Sequence, residues 1–165
     1  MIKNVTWFIV VLVLGSFISL SFRNKSTMTE KLALGDQVPE LVLCNQSQSL
    51  NLRAAEGGYL LLSFWASYDA VSRENNAMLN HAIQGEARMG MISVSFDRYR
   101  SVYEAAVRQD GLQNSPCYLE TGGEHSDAFR AYDLKSGFKN YLIDSKGVIV
   151  AKNVTASELS AYLIR

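Results

Sequence analysis

The feature that most constrains the fold of this 165-residue chain is an apolar run followed directly by a polar turn. Residues 59–65 (Tyr-Leu-Leu-Leu-Ser-Phe-Trp) are nearly all apolar, which is typical of a strand buried on both faces of a sheet. The segment at 67–72 (Ser-Tyr-Asp-Ala-Val-Ser) begins with polar residues and leads into a helix that we predict to begin near Ser72. A buried strand followed by a helix favours an α/β domain.

Residues 64–73 (Phe-Trp-Ala-Ser-Tyr-Asp-Ala-Val-Ser-Arg) resemble the Phe-Trp-Ala-x-Trp-Cys-x-x-Cys-Arg motif of thioredoxin-like proteins, without a gap. In this alignment Asp69 and Ser72 occupy the two cysteine positions. A Cys-x-x-Cys site works because a helix N-terminus stabilises the first thiolate and the second cysteine resolves the mixed disulfide. Asp69 and Ser72 have no redox couple. We therefore expect no catalytic residue here, and we expect the Asp69 carboxylate to cap the helix.

Residues 132–147 resemble a later stretch of the same family, Tyr-x-Val-x-x-x-Pro-Thr-x-Phe-Leu-Ile-Asp-x-x-Gly. Phe138 stands at the cis-proline position of that stretch, and Ser63 stands where thioredoxin carries a buried aspartate. Because a cis bond before a residue other than proline costs about 3 kcal/mol, we expect the bond from Gly137 to Phe138 to be trans. The resemblance brings four residues to one face as a candidate binding surface: Tyr68, Asp69, Phe138 and Lys139.

The resemblance covers residues 35–165 and implies a thioredoxin-like α/β fold, with a central mixed β-sheet flanked by helices. Two short strands at 40–44 and 50–52 resemble the N-terminal β-hairpin extension of TlpA/ResA-type proteins and AhpC/TSA peroxiredoxins. After the strand at 59–65, the sequence pattern predicts these elements: helix 72–83, strand 89–96, helix 97–109, helix 124–132, strand 138–144, strand 148–151 and helix 156–164.

Residues 1–23 are predicted to be a signal sequence or an N-terminal membrane anchor. A basic start at Lys3 precedes an almost uninterrupted apolar stretch at 5–22, and about 18 apolar residues can just span a bilayer as a helix. Ser19 and Ser21 form a small-x-small pattern that offers a cleavage site, so a cleaved signal and an uncleaved inner-membrane anchor both remain open. Either implies a periplasmic or other extracytoplasmic domain, joined through a linker at 24–34.

Composition fits one ordinary domain and argues against several classes of site. The chain is 48% hydrophobic, which is enough to bury a core without disulfides. Without residues 1–30 the acidic residues exceed the basic ones by two, and no basic cluster indicates a nucleic-acid surface. Glu124, His125 and Asp127 are adjacent polar residues at a predicted helix start, where a solvated first turn is commoner than a metal site. We predict no metal and no cofactor.

Cys44 and Cys117 are the only cysteines, and neither lies at a predicted helix N-terminus, where a thiolate would be favoured. Packing as small hydrophobic residues, a Cys44–Cys117 disulfide and a reactive thiol all remain open. The sequence favours a redox-inactive thioredoxin-like domain that binds an unidentified envelope protein through the degenerate active-site groove. The alternative is a thiol-disulfide or peroxide-linked oxidoreductase that uses Cys117 or Cys44.

Overall fold

The computed structural model describes residues 32–44 and 49–163, which are built around a mixed five-stranded sheet. The central strand β1 (Tyr59–Trp65) pairs in parallel with β2 (Met89–Ser95) and antiparallel with β4 (Asn140–Asp144). The edges are β3 (Cys117–Leu119), parallel to β2, and β5 (Ile149–Lys152), antiparallel to β4. The strand order is therefore β3-β2-β1-β4-β5, which confirms the predicted α/β class with a central mixed sheet.

In the described part of the chain, four α-helices flank the sheet: α1 (Ala70–Ala82), α2 (Arg100–Gln109), α3 (Asp127–Ala131) and α4 (Ala156–Leu163). Helix α1 begins two residues before the predicted start, because the Asp69 carboxylate accepts a hydrogen bond from Ser72 N at 2.9 Å and caps the first turn. Helix α2 ends at the predicted residue. Gly111 follows it with a φ of 70°, a conformation that side chains disfavour and that commonly terminates helices.

Side chains alternate along β1 and build a core on each face of the sheet. On one face, Leu61 packs with α1 and α4, and Trp65 packs with Tyr103 of α2. The other face is covered by α3 and by the segment at 32–43, and its largest fully buried members are Leu41, Leu43, Phe64, Tyr132 and Tyr141. Strands β1 and β2 end at the same edge of the sheet, so the loops that follow them lie side by side.

The prediction of one continuous helix at 124–132 is wrong. A 3₁₀-helix at Gly123–His125 is separated from α3 by Ser126, whose backbone is extended. The Ser126 hydroxyl accepts a hydrogen bond from Phe129 N at 3.2 Å and donates one to the Gly123 carbonyl at 2.8 Å. This side chain therefore caps α3 and closes the preceding turn, which breaks the helix in two.

The predicted N-terminal hairpin is present only as one antiparallel bridge, between Leu41 and Leu50. Leu41 and Leu43 are fully buried, so the apolar pattern in this segment reflects docking onto the sheet instead of a ladder of its own. Strand β3 was not predicted, because three residues are too few to give a period. Tyr103 and Ala106 are the buried residues of α2, whereas Val102 is exposed.

The predicted signal sequence or membrane anchor at 1–23 lies outside the described residues, as does most of the linker. Within residues 32–44 and 49–163, no helix is both long and apolar enough to cross a bilayer.

Candidate functional site

A buried carboxylate holds the loop between β1 and α1. Asp97 lies two residues after β2 and is 2% exposed. One of its oxygens accepts hydrogen bonds from Ser67 N at 3.1 Å and Ser67 Oγ at 2.5 Å, and the other accepts one from Ser95 Oγ at 2.7 Å. These donors offset the cost of burying the carboxylate and fix the position of residue 67.

Sequence reasoning missed this role of Asp97. The pattern made Asp97 the first residue of the following helix, whereas α2 begins at Arg100 after Tyr99, whose side chain makes no capping hydrogen bond. An aspartate just after a buried strand was the available signal, but its donors come from a neighbouring loop that sequence spacing does not locate.

The positions aligned with the two cysteines hold the first turn of α1 together. Asp69 caps the helix, and the Ser72 hydroxyl donates to the Asp69 carbonyl at 3.2 Å. The same hydroxyl accepts a hydrogen bond from Ala66 N at 3.4 Å. Both side chains therefore stabilise the loop conformation, and neither is a thiol.

Two aromatic side chains meet beside this turn. The Tyr68 ring is 73% exposed, and its centroid lies 6.3 Å from that of Phe138. Phe138 is half-buried and also lies 5.7 Å from the buried ring of Phe96, so one side of Phe138 contacts the core. All peptide bonds within residues 32–44 and 49–163 are trans, including the bond before Phe138, as expected.

Carboxylates surround Tyr68. Burial and the negative charges of Asp97, Asp69 and Glu124 raise the pKa of the Tyr68 hydroxyl above its ordinary value. The nearest lysine in the loop, Lys139, is ion-paired with Asp133 at 2.7 Å. Both side chains of that pair are mostly buried, so the Lys139 charge is largely neutralised.

A groove of about 530 Å³ runs between α1 and the loop at 137–139, and we name it the α1 groove. Its α1 wall is formed by Asp69, Val71, Ser72, Glu74, Asn75 and Met78. The opposite wall includes Phe138 and Lys139, and the floor includes Ser63. Val71 is 80% exposed and Met78 is 49% exposed, so the rim of the groove is apolar.

The structure therefore brings the four predicted site residues together. Asp69, Phe138 and Lys139 line the α1 groove, and Tyr68 joins them through its contact with Phe138. Sequence reasoning missed Val71 and Met78, which lie seven positions apart on one face of α1. Their apolar character was visible in the sequence, but their exposure was not.

The two cysteines are free, and neither lines the α1 groove. A hydrogen bond to Glu120, together with burial and the charge of that carboxylate, raises the pKa of the exposed Cys44 thiol. Glu120 is fully buried and accepts hydrogen bonds from Cys44 N at 2.9 Å and Gly122 N at 2.6 Å. Burial raises the pKa of the Cys117 thiol. Both environments disfavour the thiolate form at neutral pH.

Glu124, His125 and Asp127 form no metal cluster. Across the part of the chain that the structure describes, no group of three histidine, cysteine or acidic side chains is placed to hold a metal ion.

Comparison with known proteins gives matches only among solved structures, since no protein-family model and no curated protein sequence matches the chain. A thioredoxin-like protein from Parabacteroides distasonis is 35% identical with a TM-score of 0.68, over 81% of this chain and 100% of that one. A thiol-disulfide oxidoreductase from Bacteroides fragilis is 26% identical with a TM-score of 0.63, over 78% and 98% of the two chains. The thioredoxin domain of a thiol-disulfide oxidoreductase from Bacteroides vulgatus shares the fold at 22% identity, with a TM-score of 0.64, over 81% and 99%.

Proposed function

Because this chain belongs to the thioredoxin-like family, we propose that it is a redox-inactive member that binds a protein partner through the α1 groove. The observation that carries the proposal is the start of α1, where Asp69 and Ser72 hold the positions of the two cysteines and are tied into the turn. The proposal places the domain outside the cytoplasm, exported or anchored by residues 1–23.

The cysteines support the redox-inactive part of the proposal. A dithiol couple needs two thiols close together, one of them with a lowered pKa. Cys44 and Cys117 form no disulfide in the structure, and the pKa of each thiol is raised instead of lowered. The alternative, a monothiol oxidoreductase, rests on the exposure of Cys44, but the hydrogen bond with the Glu120 carboxylate raises the pKa of that thiol.

Exposed apolar side chains support the binding part of the proposal. Val71 and Met78 are exposed along the α1 groove, and Tyr68 is exposed beside it in contact with Phe138. Grouped apolar exposure of this kind marks interaction surfaces. The main-chain N–H and C=O of Phe138 make no main-chain hydrogen bond to any described residue, which leaves them available to a bound segment. Aromatic anchors at the centre of such a surface supply most of the binding energy.

Disulfide reduction tests the redox part. The full chain in mild detergent should reduce insulin disulfides with dithiothreitol no faster than dithiothreitol alone, because the site holds no dithiol. An acceleration that disappears on Cys44→Ser would establish the monothiol alternative. An acceleration that survives in the double Cys44→Ser, Cys117→Ser variant would overturn the redox assignment altogether.

Capture from membranes of the native host tests the binding part. A partner recovered with the wild-type chain should be recovered less well with Val71→Ser or Tyr68→Ala, each weakening binding by about 1 to 3 kcal/mol. Val42→Ser is the matched control, since Val42 is an exposed apolar residue that does not line the groove. Equal recovery with all three variants would show that the α1 groove is not the binding surface.

A further inference from the structure

The α1 groove carries accessible negative charge. Asp69 stands at the start of α1, and Glu74 follows on the same wall of the groove. Glu74 is exposed and forms no ion pair with any described residue. Only one oxygen of Asp69 is used by the helix cap. Two carboxylates therefore face the space that a partner would occupy.

Among the described residues that line the groove, the one cation is already paired. Lys139, on the opposite wall, is held by Asp133. Arg73, on α1, makes a two-pronged ion pair with Asp110, with both nitrogen–oxygen distances at 2.7 Å. The charge that the groove presents to solvent is therefore acidic, although the full chain has a formal net charge of zero.

The aromatic pair adds a second attraction for cations. The face of an aromatic ring attracts arginine and lysine side chains. The exposed Tyr68 ring lies next to Asp69 in sequence and in contact with Phe138. A guanidinium placed over Tyr68 would also lie within the field of the neighbouring carboxylates.

We propose that the α1 groove binds a basic, apolar protein segment, whose arginine or lysine side chains pair with Asp69 and Glu74 while its apolar side chains contact Val71, Met78 and Phe138. This inference rests on the proposed binding function and adds the chemistry of the partner. The charge complementarity sets which segments the groove accepts, and the apolar rim supplies most of the contact area.

Peptides of opposite charge test the inference. Two fluorescent peptides of about 12 residues share leucine and phenylalanine anchors and carry either arginine or glutamate between them. Their binding to the full chain in mild detergent is measured by anisotropy. We expect the arginine peptide to bind about tenfold more tightly than the glutamate peptide, with the difference shrinking as salt rises from about 50 to about 300 mM.

Charge reversal on α1 identifies the groove as the source of the preference. Glu74→Lys should weaken binding of the arginine peptide and strengthen binding of the glutamate peptide. Glu86→Lys, a change of equal charge in an exposed loop that does not line the groove, should alter neither by more than about twofold. A preference that Glu74→Lys leaves unchanged would overturn the inference.

The remaining outcomes separate this inference from the proposed function. Equal binding of both peptides, weakened by Val71→Ser, would overturn the charge preference and leave the α1 groove as a binding site. Failure of both peptides to bind at about 1 mM would overturn the basic-partner inference. Membrane capture with the Val71→Ser and Val42→Ser variants would then decide the proposed function independently.

Discussion

Phe138 differs from Tyr68 because it contacts both an exposed ring, that of Tyr68, and a buried ring, that of Phe96. Phe138 packs against the buried ring of Phe96, whereas Tyr68 is mostly exposed. We predict that Tyr68→Ala changes the free energy of unfolding by no more than about 0.5 kcal/mol. Phe138→Ala should cost about 1 to 2 kcal/mol, less than the roughly 3 kcal/mol of a fully buried aromatic.

Urea unfolding of the two variants measures this difference. Val102 is another exposed apolar residue, so Val102→Ala serves as the control for Tyr68→Ala. A loss above about 3 kcal/mol for both ring variants would place both side chains in the core, and it would remove Tyr68 from the binding surface.

Helix α1 is joined to the sheet by a buried polar contact. The Asn76 side chain of α1 is fully buried and accepts a hydrogen bond from Ser93 Oγ of β2 at 2.9 Å. Its Nδ2 group has no hydrogen-bond partner among the described residues. A buried amide that is only partly satisfied costs free energy, and removing its remaining partner costs more.

We predict that Ser93→Ala destabilises the protein by about 1 to 2 kcal/mol, because Asn76 then loses its only side-chain hydrogen bond. The double variant Asn76→Leu, Ser93→Ala should be less destabilised than the sum of the two single variants, since it removes both polar groups together. Thermal unfolding of the four proteins in this cycle gives the coupling. Additive losses would show that the contact contributes nothing.

The sequence predicted the buried strands but not the contacts that depend on tertiary structure. Long apolar runs such as residues 59–65 predicted the strands, because a strand buried on both faces needs no polar positions. The break at Ser126 was missed, because a serine can cap a helix or lie within one, and only its tertiary surroundings decide. The resemblance located Asp69 and Phe138 of the site, whereas Asp97 and Glu120 are defined by donors distant in sequence.

For the whole molecule, three buried tyrosines predict sensitivity to alkali. Burial raises the pKa values of Tyr103, Tyr132 and Tyr141, and each hydroxyl donates to a carbonyl. When the pKa of a tyrosine is higher in the folded state than in the unfolded state, the protonated hydroxyl stabilises the fold at every pH below the unfolded-state pKa, which is near 10. This stabilisation is lost as the pH rises through the folded-state pKa. Melting temperature should therefore fall steeply above about pH 10, together with a cooperative rise in tyrosinate absorbance.

Tyr132→Phe provides the control for this prediction. The change removes the ionisable hydroxyl that donates to the Pro39 carbonyl, so the protein should be less stable at neutral pH but lose less stability between about pH 10 and 12. An unchanged slope in this range would show that Tyr132 ionisation does not contribute to alkaline unfolding.

The position of β1 in the sheet also affects how the chain folds during its synthesis. Its parallel neighbour β2 follows soon after it in the sequence, but its other neighbour β4 begins only at Asn140. The segment before β1 likewise bridges, through residue 37, to residue 148. A chain emerging from the ribosome or a translocation pore therefore leaves one edge of the apolar strand β1 unpaired until β4 has appeared. Such edges recruit other strands, so the nascent chain is prone to aggregate until residues 140–144 have been synthesised.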